Sequence, residues 1–437
     1  MRPLTKKMRL LSVGVAAGLT LGLVGTAAAV TSSHSPAAPH RAISLTAGKT
    51  GPRGPQGPRG PQGPRGPRGP RGATGANGTN GTNGAKGATG ASGSPLDLSK
   101  VATLNWQGWL GVNNFSDGSY DFSDPWGIAF DGSHLWVAND EGNSVTELNA
   151  SDGSWVRTVT NTSCTSCGFN EPRGFAFDGT HLWVTNYGSS GGTGYSVTEL
   201  NASDGSWVRT VTNTSCTSCG FNEPWNIAFD GTHLWVTNYN GNSLTELNAS
   251  DGSWVRTVTT TNCTSCGFNG PGGSAFDGTH LWVANYNANS LTELNASHGS
   301  WVRTVTSTSC TSCGFSSPGG IAFDGTHLWV TNHTGSSVTE LNAADGSWVR
   351  TVTTTSCTSC GFSEPMGIAF DGTHMWVVNF TDSSLTELNT ADGSWVQTLT
   401  TSSCASCGFD YPEVVAFDGT HMWVTNAGNS VTDLPAG

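Results

Sequence analysis

The tripeptide Phe-Asp-Gly begins at Phe130, Phe177, Phe229, Phe276, Phe323, Phe370 and Phe417. Successive starts lie 47, 52, 47, 47, 47 and 47 residues apart, the one long interval reflecting an insertion within residues 188–195. A period of this size admits few architectures, because one such unit cannot bury a core alone and must stack on its neighbours. Each unit reads as four short strands. In the second unit these are residues 174–177 (strand a), 181–185 (b), 196–200 (c) and 207–211 (d). All are β-branched or aromatic-rich, and the turns Asp178-Gly179 and Asp204-Gly205 join a to b and c to d. Asp-Gly between such runs is a strong hairpin signal. Four antiparallel strands per repeat make one blade of a propeller.

The ends of the array fix the number of blades. The seventh unit stops with strand c at residues 430–434, and counting back from Phe130 puts residues 109–113 where a strand d belongs. A strand supplied from the N-terminal side would complete blade seven and remove its exposed edge. The expected class is therefore all-β, a seven-bladed propeller over residues 109–437. Units such as EPWNIAFDGTHLWVTNYNGNSLTELNASDGSWVRTV resemble the NHL and YVTN repeats and the wider group containing the virginiamycin B lyase family. The resemblance covers residues 109–434 and implies the propeller fold. The families concerned include binders, scaffolds and enzymes, so it fixes no activity. No stretch carries the lyase's catalytic residues to numbered positions here.

A second repeat precedes the first. From Gly48 through residue 95, Gly recurs at every third position for 16 triplets, first with Gly-Pro-Arg and Gly-Pro-Gln, then with Gly-Ala-Thr and Gly-Thr-Asn. Only Gly fits the crowded axis of a collagen triple helix, so the strict period predicts one. The run resembles the collagen-like regions of bacterial surface proteins, and a flexible Gly-rich tether is the alternative. As a triple helix it would be roughly 150 Å long and would make the protein a homotrimer. Residues 30–47 and 96–108 read as linkers. Residues 1–29 read as a signal peptide: Arg2, Lys6, Lys7 and Arg9 precede an apolar stretch, then Ala27, Ala28 and Ala29. No later segment has the apolar length of a membrane helix. A secreted or surface-associated protein without a transmembrane anchor is expected, with cleavage near Ala29.

Charge divides along the chain. From residue 100 onward Lys100 and six arginines face 30 acidic residues, the 31 of the chain less Asp97, a balance of −23. Such a surface repels phosphates, so nucleic acid is excluded as a partner of this part.

All 12 cysteines fall in Cys-x-x-Cys pairs on the connection from strand d to the next strand a: Cys164/Cys167, Cys216/Cys219, Cys263/Cys266, Cys310/Cys313, Cys357/Cys360 and Cys404/Cys407. The N-terminal connection replaces both at once, by Asp117 and Tyr120, as a local disulfide predicts. Zinc would need four ligands where each blade offers two, and thioredoxin-like chemistry belongs at a helix N-terminus. Six local disulfides, no metal and no cofactor are expected. A His opens every strand b (His134, His181, His233, His280, His327, His374, His421), and seven copies argue for architecture, with a hydrogen bond fixing the hairpin. Trp136 on strand b, Trp155 on strand d and their equivalents are expected to pack between blades. Glu147 and Arg157, with their repeats, are expected as cross-strand pairs.

Function in a repeat array is sought where the copies differ. On the connecting loops, just before strand a stand Trp126, Arg173, Trp225, Gly272, Gly319, Met366 and Glu413; just after strand b stand Asp140, Tyr187, Tyr239, Tyr286, His333, Phe380 and Ala427. Both rings belong to the same face, at the mouth of the central channel, and their aromatic content favours ligand binding over drift. The ligand-binding candidates are Trp126, Arg173, Trp225, Met366, Glu413, Asp140, Tyr187, Tyr239, Tyr286, His333 and Phe380. The leading reading is a recognition or adhesion protein for a glycan, peptide or surface ligand. One alternative is a lyase- or hydrolase-like enzyme using His333, Glu413, Arg173 and Asp140. The other is a purely structural envelope or spore-surface component.

Overall fold

The computed structural model describes residues 112–116, 118–188 and 194–436. The signal peptide, the collagen-like run and both expected linkers lie outside these residues. Seven four-stranded antiparallel sheets form the seven blades of a propeller. In blade one strand a is Pro125–Phe130, b is His134–Asn139, c is Ser144–Asn149 and d is Trp155–Thr160. The same four recur in blades two to six. Each strand a opens on Pro, where a missing N–H does least harm to a ladder, and the pairing of a with b shifts register just after it.

Blade seven is completed from the N-terminal side, as the repeat count requires. Its strand d is Asn113–Phe115, paired to strand c through Asn113↔Asp433, Asn114↔Thr432 and Phe115↔Val431. This corrects the expectation of residues 109–113, of which 109–111 lie outside the described residues. Phe115 takes the register place that Val159 holds in blade one. It stands 15 residues before Phe130, whereas Val159 stands 18 before Phe177. The connection without a disulfide is thus three residues shorter, and counting back by the repeat overshoots. Phe115 stacks on Trp423 at 5.8 Å, and the Asn114 amide donates to Cys407 O, Ser430 Oγ and Thr432 Oγ1.

The core lies between blades. Trp136 of blade one is fully buried with Leu182, Val184 and Leu200 of blade two, and six equivalent clusters complete the ring. The last sets Trp423 of blade seven against Leu135, Val137 and Leu148 of blade one. The strand-b tryptophans therefore do pack between blades. Those on strand d do not: Trp155, Trp207, Trp254, Trp301, Trp348 and Trp395 are 43–46 % exposed. Strand d is the outer edge of each blade, so the tryptophan near its start has no neighbouring sheet to cover it.

The six disulfides form as expected, with Cα–Cα separations of 5.3–5.4 Å and no free cysteine. They are not surface staples, however, as a place in connecting loops suggests. The second cysteine of every pair is fully buried: Cys167, Cys219, Cys266, Cys313, Cys360 and Cys407. Each belongs to a core cluster between blades, Cys167 with Trp136, Cys219 with Trp183, Cys266 with Trp235 and Cys360 with Trp329. The sulfur behaves there as a small apolar group, which is how cysteine is commonly found in cores. These six positions are therefore core residues and offer nothing to a ligand arriving from solvent. The connection carries the chain inward as well as onward.

The Asp-Gly turns are held by their aspartates. Asp178 Oδ1 accepts from the N–H groups of Thr180 (2.9 Å) and His181 (2.7 Å), and its Oδ2 from Trp183 Nε1 (2.9 Å). Arg157 Nε lies 2.8 Å from Glu147 Oε2 across the c–d pair, in the expected cross-strand register.

Candidate functional site: the channel mouth

The local backbone brings the two variable positions of each blade together. The residue before each strand-a Pro holds a left-handed φ: 53° at Asp124, 51° at Glu171, 53° at Glu223 and 50° at Glu364. A residue before Pro resists that region, so the conformation is strained and must be held by its neighbours. Two bonds hold it in blade two. The Tyr187 N–H donates to Glu171 O (3.0 Å), and the Glu171 N–H donates to Asn143 Oδ1 of blade one (2.9 Å).

An aromatic arc results. Trp126 meets Trp225 edge-on at 5.5 Å, Trp225 meets Tyr187 at 5.5 Å and Tyr239 at 5.2 Å, and the series continues to Tyr286 (6.3 Å) and His333 (5.9 Å). Arg173 stands within this arc, its guanidinium 3.6 Å from the Tyr187 ring centroid, 4.6 Å from Trp126 and 4.8 Å from Trp225. Its Nε donates to Asp140 Oδ1 at 3.0 Å.

Several candidates are more enclosed than rim residues would be. Arg173, Asp140, Tyr187, His333, Glu413 and Ala427 are buried, while Trp126, Trp225, Tyr239, Tyr286, Met366 and Phe380 are half-buried. Trp126 and Trp225 lie in strands, not in loops. Arg173 and Asp140 neutralise each other. Phe380 stands apart from the arc and packs on Tyr411 at 5.2 Å, and Met366 packs against the core between blades six and seven. The sequence reading missed the pre-Pro position, although Glu171, Glu223 and Glu364 also depart there from Gly270 and Ser317. Glu223 accepts from the Tyr187 hydroxyl at 2.8 Å. Burial pushes the Tyr187 phenol well above its ordinary value, Arg173 opposing and Glu223 reinforcing, so Tyr187 remains a donor. Burial lowers His333, against the pull of Glu364, and keeps the imidazole neutral at neutral pH.

Six of the seven strand-b histidines reach two carboxylates, His421 reaching Asp418 alone: His181 Nδ1 lies 3.3 Å from Asp178 Oδ2 and 3.5 Å from Glu199 Oε1. Asp178, His181 and Glu199 form one donor set of metal-binding type, and Asp371, His374 and Glu387 another. In the first, Arg209 Nε already sits 2.7 Å from Glu199. In the second, Gln397 Nε2 donates to Glu387 at 2.7 Å.

A family model, "Collagen triple helix repeat (20 copies)", matches residues 46–97. No curated protein sequence matches the chain. Among solved structures, virginiamycin B lyase from Staphylococcus aureus superposes with a TM-score of 0.56 at 16% identity, covering 75% of this chain and 99% of the lyase. A streptogramin B lyase gives 0.56 at 16%, covering 76% and 99%, and hydrazine synthase from Kuenenia stuttgartiensis gives 0.54 at 17%, covering 72% and 97%. At these identities the likeness is one of fold. No helix among the described residues is long and apolar enough to cross a membrane. The collagen repeat is consistent with self-association, and with the propeller it fits a protein-interaction or structural role.

Proposed function

We propose that this protein is an extracellular recognition protein whose propeller mouth binds a glycan or an extended peptide and whose collagen-like segment joins three copies. The observation carrying the reading is the arc of half-buried rings from Trp126 through Trp225 and Tyr239 to Tyr286. Rings with an apolar face and a polar edge suit ligands built the same way. Arg173, enclosed with its Nη1 lacking a hydrogen-bond partner among the described residues, acts as a positioning residue. With Asp140 it fixes the faces of Trp126 and Trp225, limiting the entropy lost on binding. The strained residues before the strand-a prolines support a site at this face.

The test replaces Trp126, Trp225 and Tyr239 by Ala together and measures attachment to arrayed glycans, peptides and bacterial cell walls. Binding should weaken tenfold or more, about 1.4 kcal/mol. These side chains are half-buried and two lie in strands, so denaturant unfolding must first show that the variant is folded. A folded variant that binds as the parent does would return the protein to a structural role.

A further inference from the structure

The largest exposed apolar side chains of the propeller are not at its mouth. Six of them are the strand-d tryptophans on the outer wall, each open to nearly the same degree. Trp348 borders a groove of about 420 Å³ shared with Arg303, Ser309, Cys310, Thr311 and Ser347, and Trp254 an equivalent groove of about 500 Å³ with Arg209, Ser215, Cys216, Thr217 and Ser253. Each groove runs between the outer strands of adjacent blades and has a disulfide loop as one wall. The same Arg and Trp pairing recurs as Arg157 with Trp207, Arg256 with Trp301 and Arg350 with Trp395, which gives five positions.

The tryptophan is held in place. Trp348 Nε1 donates to Thr351 Oγ1 (3.0 Å), and that hydroxyl donates to Ser312 O of the disulfide loop (3.0 Å). The relay repeats through Thr257 to Ser218 O for Trp254. The indole's one polar group is thereby satisfied within the chain, and its exposed ring offers only an apolar face. Arg303 is balanced by Glu293, whose Oε2 lies 2.8 Å from Nε, so the groove presents little net charge.

We infer that these two grooves, and the three further positions with the same Arg and Trp pairing, are repeated binding sites for a neutral sugar, one monosaccharide or disaccharide in each. A fixed indole face takes the C–H surface of a pyranose, and hydroxyl and guanidinium groups beside it take the ring hydroxyls. The volume fits a ligand of that size. Anionic sugars are disfavoured by the acidic propeller. The sites are distinct from the mouth, and the inference stands whether or not the mouth binds anything.

The experiment titrates the full secreted chain with the methyl glycosides of glucose, galactose, mannose and N-acetylglucosamine, each to about 10 mM, the range where a small open site fills. Saturation-transfer NMR and tryptophan fluorescence report binding, and calorimetry the stoichiometry. At least one glycoside should bind at close to five equivalents per chain. Replacing Trp207, Trp254, Trp301, Trp348 and Trp395 by Ala should weaken it at least tenfold. If that variant does not fold, Trp348→Ala alone should remove one equivalent in five. The inference is overturned if no glycoside binds, if binding survives loss of the tryptophans, or if a single equivalent binds and is lost with Trp126 and Trp225.

Discussion

Asp178 shows how much one repeated residue can do. Burial raises its pKa, but donation from Trp183 Nε1 and from the N–H groups of His181 and Thr180, with the charge of His181, outweighs burial and holds it below the ordinary 3.8. A carboxylate lowered on folding stabilises the folded state above its unfolded pKa, and that contribution disappears as pH falls through the folded value. Asp131 and Asp418 are lowered in the same way. The contribution of these aspartates to stability should therefore be lost below about pH 4. Asp178→Asn should cost about 1–2 kcal/mol at neutral pH, because the amide N–H₂ cannot accept from Trp183. Urea unfolding at neutral and acid pH checks this, and the cost should shrink on the acid side. The Asp-Gly turn was legible in the sequence because its chemistry is local. The burial of Arg173 was not, since the three rings around it come from three blades.

At the scale of the element, the disulfide loop closes a short turn, plugs the core with its second sulfur and anchors a tryptophan. Replacing Cys310 by Ser and Cys313 by Ala should cost about 2–3 kcal/mol. The loop closed is only a few residues long, and the buried Cys313 adds the loss of one packed sulfur. A further effect should fall on Trp348, whose relay to Ser312 O loses its fixed end. Its fluorescence should become more accessible to acrylamide while unfolding stays cooperative, and unchanged quenching would disconnect loop from indole. The pairing of the cysteines was readable from their spacing, which is local. The depth of Cys167 and its equivalents was not, because the indole that covers each comes from the preceding blade. Strand positions were readable from alternation and turn residues. The exposure of Trp155 and its equivalents was not, because alternation gives the face of a sheet and not whether another sheet covers it. The strand at Asn113–Phe115 was displaced from its expected place for a similar reason: a shortened connection leaves no mark until its partner strand is known.

At the scale of the whole molecule, the blade count followed from the repeat and from the missing last strand, and the ring closes as that arithmetic requires. The collagen-like segment sets the other expectation. Sedimentation of residues 30–437 should show a trimer, with collagen-type circular dichroism in the cold that melts on heating. A monomer without that signal would remove the avidity that three linked propellers gain from effective concentration. The closure also has a mechanical side. The chain enters the propeller through Asn113–Phe115, so tension transmitted along the preceding residues falls first on three paired residues, the Asn114 amide and the Phe115 ring. In a propeller held at its mouth and pulled from its N-terminal side, this three-residue pairing is the shortest ladder in the path of the load, and the strand that completes the ring is where the ring would open first.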